Sequence, residues 1–230
     1  MFRPGNKMEI TETNLFKNVS ADILSLVFNN ISLKKSKSKE VIIGEETLNS
    51  PNLFIVKSGL VVISKTDSNG AEVSLSIKKK GDHFGQFSLF YDKPMNGKAV
   101  SLIQTEYWIL NGSFLKSVLL KNLDFTFNLL KETTEYLKVA NECRTSNISG
   151  GAQKKLLYQL MRLGKKDKIN NCIIISHDLN QNIMSSFAGI TRETVSREIQ
   201  KLKKCDILMV NEKNQLKLDI NLATSLLEAS

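Results

Sequence analysis

The sequence predicts an α+β chain in which a β-roll comes first, one long helix follows, and a helical C-terminal part closes on a β-hairpin. Three observations predict it. Short β-rich segments separated by turn residues run from about Val41 to Leu110, a stretch without Gly or Pro runs from about Leu123 to Ser146, and two short amphipathic segments joined by a glycine lie near the end.

Within the first region the pieces are VIIG, NLFIVKSG, LVVISKTDSNG, AEVSLSIKKKG, KAVSLIQ and EYWIL. Asn69-Gly70 between two alternating runs is a strong hairpin signal, and the recurring glycines argue for an all-β roll or barrel rather than alternating β and α units. Ser113 to Leu119 reads as a short helix. In the long helix that follows, Phe127, Leu130, Thr134 and Leu137 fall at a and d spacing, an apolar stripe that faces either its own β domain or a second copy of the chain. Ser149-Gly150-Gly151 is a hinge candidate. Ala152 to Leu163 reads as a helix with Leu156, Leu157, Leu160 and Leu163 on one face and Gly164 as its stop, a lysine-rich loop comes next, and Cys172 to Ile175 resembles a strand. The expected divisions are a roll over 1–122, a dimerisation helix and hinge over 123–149, and a third part over 150–230.

With 230 residues, 41% of them hydrophobic, the chain can bury one large core or two modest ones. It carries 32 Lys and Arg against 23 Asp and Glu, a net charge of +9 that favours polyanionic partners such as nucleic acid or an acidic membrane surface. Residues 151–230 hold 13 basic and 8 acidic side chains, so the last third is the more basic part. Cys143, Cys172 and Cys205 are widely and unevenly spaced, which suits neither zinc nor an iron–sulfur cluster and fits reduced thiols in a cytoplasm. The opening MFRPGNKMEI lacks the apolar run of a signal peptide, and no stretch approaches the ~20 apolar residues of a spanning helix. A cytoplasmic protein without membrane contact, metal or cofactor is expected.

The most informative segment is Asn180 to Leu208. Asn180 can cap a helix to about Ala188, Gly189 can end it in the left-handed conformation, Ile190 would be buried in the turn, and Thr191 can cap the next helix. That order is a helix-turn-helix. Val195, Ile199 and Leu202 recur at i, i+4 and i+7 and are expected in the core, which leaves Arg192, Glu193, Ser196 and Arg197 on the opposite side, where base edges would be read. An arginine fork suits guanine O6 and N7, and a carboxylate can accept from cytosine N4. Asn180, Thr191, Thr194 and Lys201 are placed to meet phosphates. Ile207 to Leu218 shows two β runs around a polar centre, the wing of a winged helix.

ITRETVSREIQKL closely resembles the recognition helix of the Crp/Fnr family of bacterial regulators, and the resemblance covers nearly the whole chain. It implies a cyclic-nucleotide-binding-like β-roll, a long dimerising helix and a winged helix-turn-helix, acting as a homodimer on an inverted-repeat DNA operator with half-sites like TGTGA or TTGAT, with RNA polymerase as a further partner. By position, Arg192, Glu193 and Arg197 correspond to base-reading residues of the cyclic-AMP receptor branch, and Glu193, Ser196 and Arg197 match the E-x-x-S-R set of the Fnr branch. GDHFGQFSLF resembles the family's phosphate-binding cassette, with Gly59, Gly70, Gly81 and Gly85 at the roll's turns. The effector pocket the resemblance implies comprises Gly85, Gln86, Phe87, Ser88, Lys98, Ala99, Thr133 and Thr134.

The cassette departs from the family's chemistry at both charged positions. Gln86 stands where a glutamate holds the ribose hydroxyl, and Met95-Asn96-Gly97-Lys98-Ala99 offers no arginine; Lys98 supplies only a point charge. On the long helix, Tyr136 and Leu137 stand where the receptor branch has small hydroxyl residues. Cyclic AMP is therefore not the expected effector, and either another small anion or no ligand at all remains. An iron–sulfur sensor is excluded because the first cysteine is Cys143, and a haem sensor would have His83 as its candidate axial ligand in the roll. Enzyme chemistry is not expected. The two imidazoles, His83 and His177, fall in different predicted domains, and the chain has no P-loop, dinucleotide fingerprint or zinc spacing.

Overall fold

The computed structural model describes residues 10–45, 51–70, 72–91, 97–149, 151–167, 169–175, 179–212 and 214–228, with backbone alone at 139, 142–149 and 186. The chain divides into two units, Met1–Leu137 and Lys138–Ser230.

In the first unit a short 3-10 turn at Asn14–Phe16 precedes helix α1 (Ala21–Asn29). Among the described residues eight strands follow: β1 (Ile31–Ser36), β2 (Val41–Ile43), β3 (Leu53–Ser58), β4 (Val61–Thr66), β5 (Glu72–Lys78), β6 (His83–Phe84), β7 (Lys98–Ser101) and β8 (Thr105–Leu110). Helix α2 (Gln86–Tyr91) sits between β6 and β7. The strands form two antiparallel four-stranded sheets, ordered β1-β8-β3-β6 and β2-β7-β4-β5. The hairpin expected at Asn69-Gly70 joins β4 to β5, with Gly70 at φ 80°. Helix α3 (Gly112–Ser117), a 3-10 turn (Leu119–Lys121) and the long helix α4 (Leu123–Ser149) complete the order; α4 runs three residues beyond its predicted end.

Strand alternation explains why LFIV reads as a continuous apolar run. Leu53 and Ile55 enter one core with Trp108, Leu110, Leu115, Leu119 and Phe125, while Phe54 and Val56 enter a second, between the sheets, with Val61, Ile63, Phe84 and Ala99. Phe54 and Phe84 stack in that second core at 5.1 Å between ring centroids. Burying one such side chain stabilises by roughly 1.5–3 kcal/mol.

The second unit contains α5 (Ala152–Leu163), β9 (Lys165–Asp167), β10 (Cys172–Ile175), α6 (Gln181–Ala188), α7 (Arg192–Lys204), β11 (Leu208–Val210), β12 (Leu216–Asp219) and α8 (Ile220–Glu228). Its sheet runs β11-β12-β10-β9, and β11 and β12 form the hairpin predicted from Ile207 to Leu218. Two expectations, on the lysine loop and on Ile190, are corrected. Lys165 and Lys166, expected in a loop, lie on a strand, because they pair with Ile174 and Ile173. Gly164 ends α5 as expected, in extended backbone at φ −70° and ψ 164° with its N–H bonded to the Leu160 carbonyl. Ile190 is half-buried instead of buried.

Candidate nucleic-acid interface

Local chemistry builds the helix-turn-helix. The Asn180 side chain accepts from the Ile183 N–H at 3.1 Å, satisfying one of the open donors at the start of α6. Gly189 ends that helix at φ 62° and ψ 38°, with its N–H bonded to the Ser185 carbonyl. Thr191 Oγ1 then accepts from the Thr194 N–H at 3.2 Å and lies 3.0 Å from the Thr194 hydroxyl. Every cap read from the sequence is in place. Thr191 and Thr194 thus engage each other at the helix start, and their hydroxyls form one exposed polar pair.

Helix α7 buries Val195, Ile199 and Leu202, as the spacing predicted. Arg192, Glu193 and Arg197 are exposed and Ser196 is half-buried on the other side, so the structure gathers the four predicted reading residues on one face. Glu193 holds its carboxylate below the usual range by accepting its own backbone N–H, then the Thr191 hydroxyl, with Arg192 adding attraction. The carboxylate is therefore charged and directed at the helix start. Lys201 is exposed but not unengaged, because its Nζ lies 2.9 Å from Glu198 Oε1. Glu198 was not singled out by sequence reasoning. A carboxylate in the row of Val195, Ile199 and Leu202 was the available signal.

In the roll, Gly85 takes φ 90°, and a Cβ there would come within 2.7 Å of the Asn52 carbonyl oxygen, so the turn into α2 requires glycine. Ser88 Oγ donates to the Gly85 carbonyl at 2.9 Å, and Phe87 stacks on Tyr91. Ala99 is fully buried in the core between the sheets. Gln86 is half-buried, with its Oε1 shut off from solvent and without a hydrogen-bond partner among the described residues. Lys98 is paired: its Nζ lies 2.7 Å from Glu72 Oε2, while Ser64 Oγ donates to Glu72 Oε1 at 2.6 Å. These contacts, Lys98 first and Ser64 second, hold the Glu72 carboxyl below its ordinary value. Glu72 was also missed, because its partners lie on two other strands.

Thr133 and Thr134 donate to the Leu129 and Leu130 carbonyls of their own helix, at 2.8 and 2.9 Å, with Thr133 half-buried and Thr134 exposed. One turn along α4, Lys78 Nζ sits 4.3 Å from the centre of the Tyr136 ring. The stripe residues Phe127, Leu130 and Leu137 are 66%, 63% and 56% exposed, and Leu123 extends it at 85%.

His83 is buried, and its pKa is lowered to about 3, first by burial and then by Lys78. It is neutral at physiological pH. A depressed imidazole contributes stability that is present above its unfolded value of 6.5 and is lost as pH falls toward about 3. Thermal melting should therefore become more acid-sensitive across that window in the parent than in His83→Gln; parallel pH profiles would contradict this role. Cys172 is buried, which raises its thiol pKa, and Cys205 is exposed. His177, Met95 and Asn96, the Gly150 part of the hinge and the Cys143 side chain lie outside the described residues.

Residues 33–122 match the family model of the cyclic nucleotide-binding domain, and residues 154–221 match that of the Crp-like helix-turn-helix domain. Among curated relatives, the anaerobic regulatory protein of Bacillus subtilis is 26% identical over 203 residues, covering 86% of this chain and 84% of its own length. A CRP-like cAMP-activated global transcriptional regulator of Mycobacterium tuberculosis is 25% identical over 151 residues, covering 64% of this chain and 66% of its own. Two solved structures share the fold. A CooA mutant from Carboxydothermus hydrogenoformans has a TM-score of 0.72 at 22% identity, over 96% of this chain and 99% of that one. FixK2 from Bradyrhizobium japonicum has a TM-score of 0.71 at 20% identity, over 87% and 98%. The β-roll, long helix and helix-turn-helix predicted from the residues are the architecture found.

Proposed function

The chain is a Crp/Fnr family transcription regulator with a helix-turn-helix DNA-binding domain, and from that premise we propose that it binds an inverted-repeat operator as a homodimer and does so without cyclic AMP. The observation that carries the reading is the two-sidedness of α7: Arg192, Glu193 and Arg197 are exposed at its N-terminal half while Val195, Ile199 and Leu202 anchor the other side. Such a helix enters a major groove with its first turns against base edges. Arg192, Glu193, Ser196 and Arg197 read bases, and Asn180, Thr191, Thr194 and Lys201 meet phosphates. DNA and RNA polymerase as partners place the protein in the cytoplasm.

The exposed stripe Phe127, Leu130, Thr134 and Leu137 supports pairing of two copies along residues 123–149, between a sensor-like roll over 1–122 and a DNA-binding part over 150–230. Two such copies set their reading helices about one helical turn of DNA apart. Independence from cyclic AMP is supported by Gln86 in the cassette and by Glu72 on Lys98. One observation favours a second reading, gating by a different small molecule: the buried Gln86 Oε1 has no partner among the described residues.

Selecting bound duplexes from a random pool, with and without cell metabolites, tests both readings. An inverted repeat recovered under both conditions supports the first, and recovery only with metabolites supports the second. On the selected operator, Arg197→Ala should cost roughly 1–3 kcal/mol and relax preference at one base pair per half-site. Parental affinity and preference in that variant would remove Arg197 from the reading set.

A further inference from the structure

Glu198 lies on the side of α7 that packs into the second unit, among Val195, Ile199 and Leu202, and is 3% exposed. A carboxylate withdrawn from water is unfavourable unless cations or donors meet it, and an apolar residue of similar volume is often the more stable choice at such a place. Here two basic side chains of the exposed face reach it. Lys201 Nζ lies 2.9 Å from Oε1, and Arg197 Nε lies 3.6 Å from the same oxygen. Both cations keep most of their surface in solvent, with side-chain exposures of 66% for Arg197 and 54% for Lys201. The second oxygen, Oε2, is buried without a hydrogen-bond partner among the described residues. Burial fixes the position of the carboxylate, so it can act as a stationary anchor for side chains that are otherwise mobile.

A guanidinium has two usable edges, and the fork that matches guanine O6 and N7 is made of N–H groups in one plane. When a carboxylate attracts the Nε edge, the Nη end is left to face the groove. An unanchored arginine would lose rotamer freedom on docking, and an anchor removes part of that loss before DNA is met. The same carboxylate also neutralises part of the Lys201 charge and so weakens attraction to phosphate of any sequence.

We propose that Glu198 is a positioning and specificity-determining residue, which aims the Arg197 fork at its base pair and restrains Lys201 from indiscriminate phosphate contact. The inference rests on the reading of Arg197 as a base-contacting residue.

The test uses the full chain, the selected operator and a duplex changed at the base pair that Arg197 discriminates. Glu198→Gln keeps the shape and removes the charge. It should lower preference for the operator over the changed duplex by about five- to tenfold, a fraction of what a bidentate pair supplies. It should also raise affinity for non-operator DNA and steepen its salt dependence toward one more phosphate contact. In an Arg197→Ala background the same substitution should leave the preference ratio unchanged, because the side chain it aims is gone. Glu198→Leu separates positioning from packing: its melting temperature should equal or exceed the parent's while discrimination is lost.

A Glu198→Gln chain that discriminates as the parent does would overturn the proposal, as would a Glu198→Leu chain with parental discrimination or an equal Glu198→Gln effect without Arg197. In those cases the parent still selects its operator, so the DNA-binding reading stands. A parent without preference among duplexes overturns that reading and this inference together.

Discussion

Replacing Phe127 by glutamate should leave the β-roll folded and lower operator affinity about 10²- to 10⁴-fold, the advantage a tethered second half-site gives over a single one. Phe127 is 66% exposed and belongs to a row on α4 that continues through Leu123, Leu130 and Leu137, all more than half exposed. Large apolar groups repeated along one helix face mark a contact surface, and 3-4 spacing is the geometry of a two-helix seam. In a symmetric pair each Phe127→Glu places a carboxylate in the seam of both copies, where like charges repel and lose solvent together. Sedimentation should show the parent as a dimer and the variant as a monomer, with the affinity loss measured by titration on the operator. A variant that sediments and binds like the parent would sink the proposed seam.

Two residues away, Phe125→Ala should act on the opposite property. Phe125 is fully buried, packs against Phe16 at 5.5 Å between ring centroids, and shares a core with Leu15, Leu119 and Leu129. Its N–H is held by Asn122 Oδ1 at 2.9 Å, so the start of α4 is capped where the ring enters. Removing a ring from such a site costs about 3–5 kcal/mol through lost transfer energy and the cavity left behind. Denaturant unfolding should show that loss in the first unit, while Phe127→Ala should change the same transition little. Equal effects from the two substitutions would mean that the faces of α4 have been misassigned.

That pair also shows what the sequence could and could not reveal. Spacing alone marked Phe127, Leu130, Thr134 and Leu137 as one stripe but left open whether it faced the chain's own roll or a second copy. The helix packs on the roll through other residues, Phe125 and Leu129, and leaves the stripe uncovered. Two apolar faces on one helix were superposed in the periodicity, and only packing separates them. The caps Asn180 and Thr191 and the left-handed Gly189 were legible because each depends on atoms within four residues. Strand β9 was not, since Lys165-Lys166-Asp167 has no β pattern of its own and is ordered by pairing with Cys172–Ile174. In the candidate site, the exposed side of α7 followed from its apolar spacing. Glu72 and Glu198 escaped notice because the first acts across strands and the second occupies a position that periodicity reserves for an apolar residue.

Lys98 has further meaning for any molecule that enters the roll. Its ammonium already holds Glu72, which Ser64 grips from a third strand. An arriving anion would therefore not simply add itself to a waiting positive charge. It would substitute for a resident carboxylate and set that carboxylate loose nearby, so ligation at this strand trio is an exchange reaction whose driving force is the difference between two similar pairings.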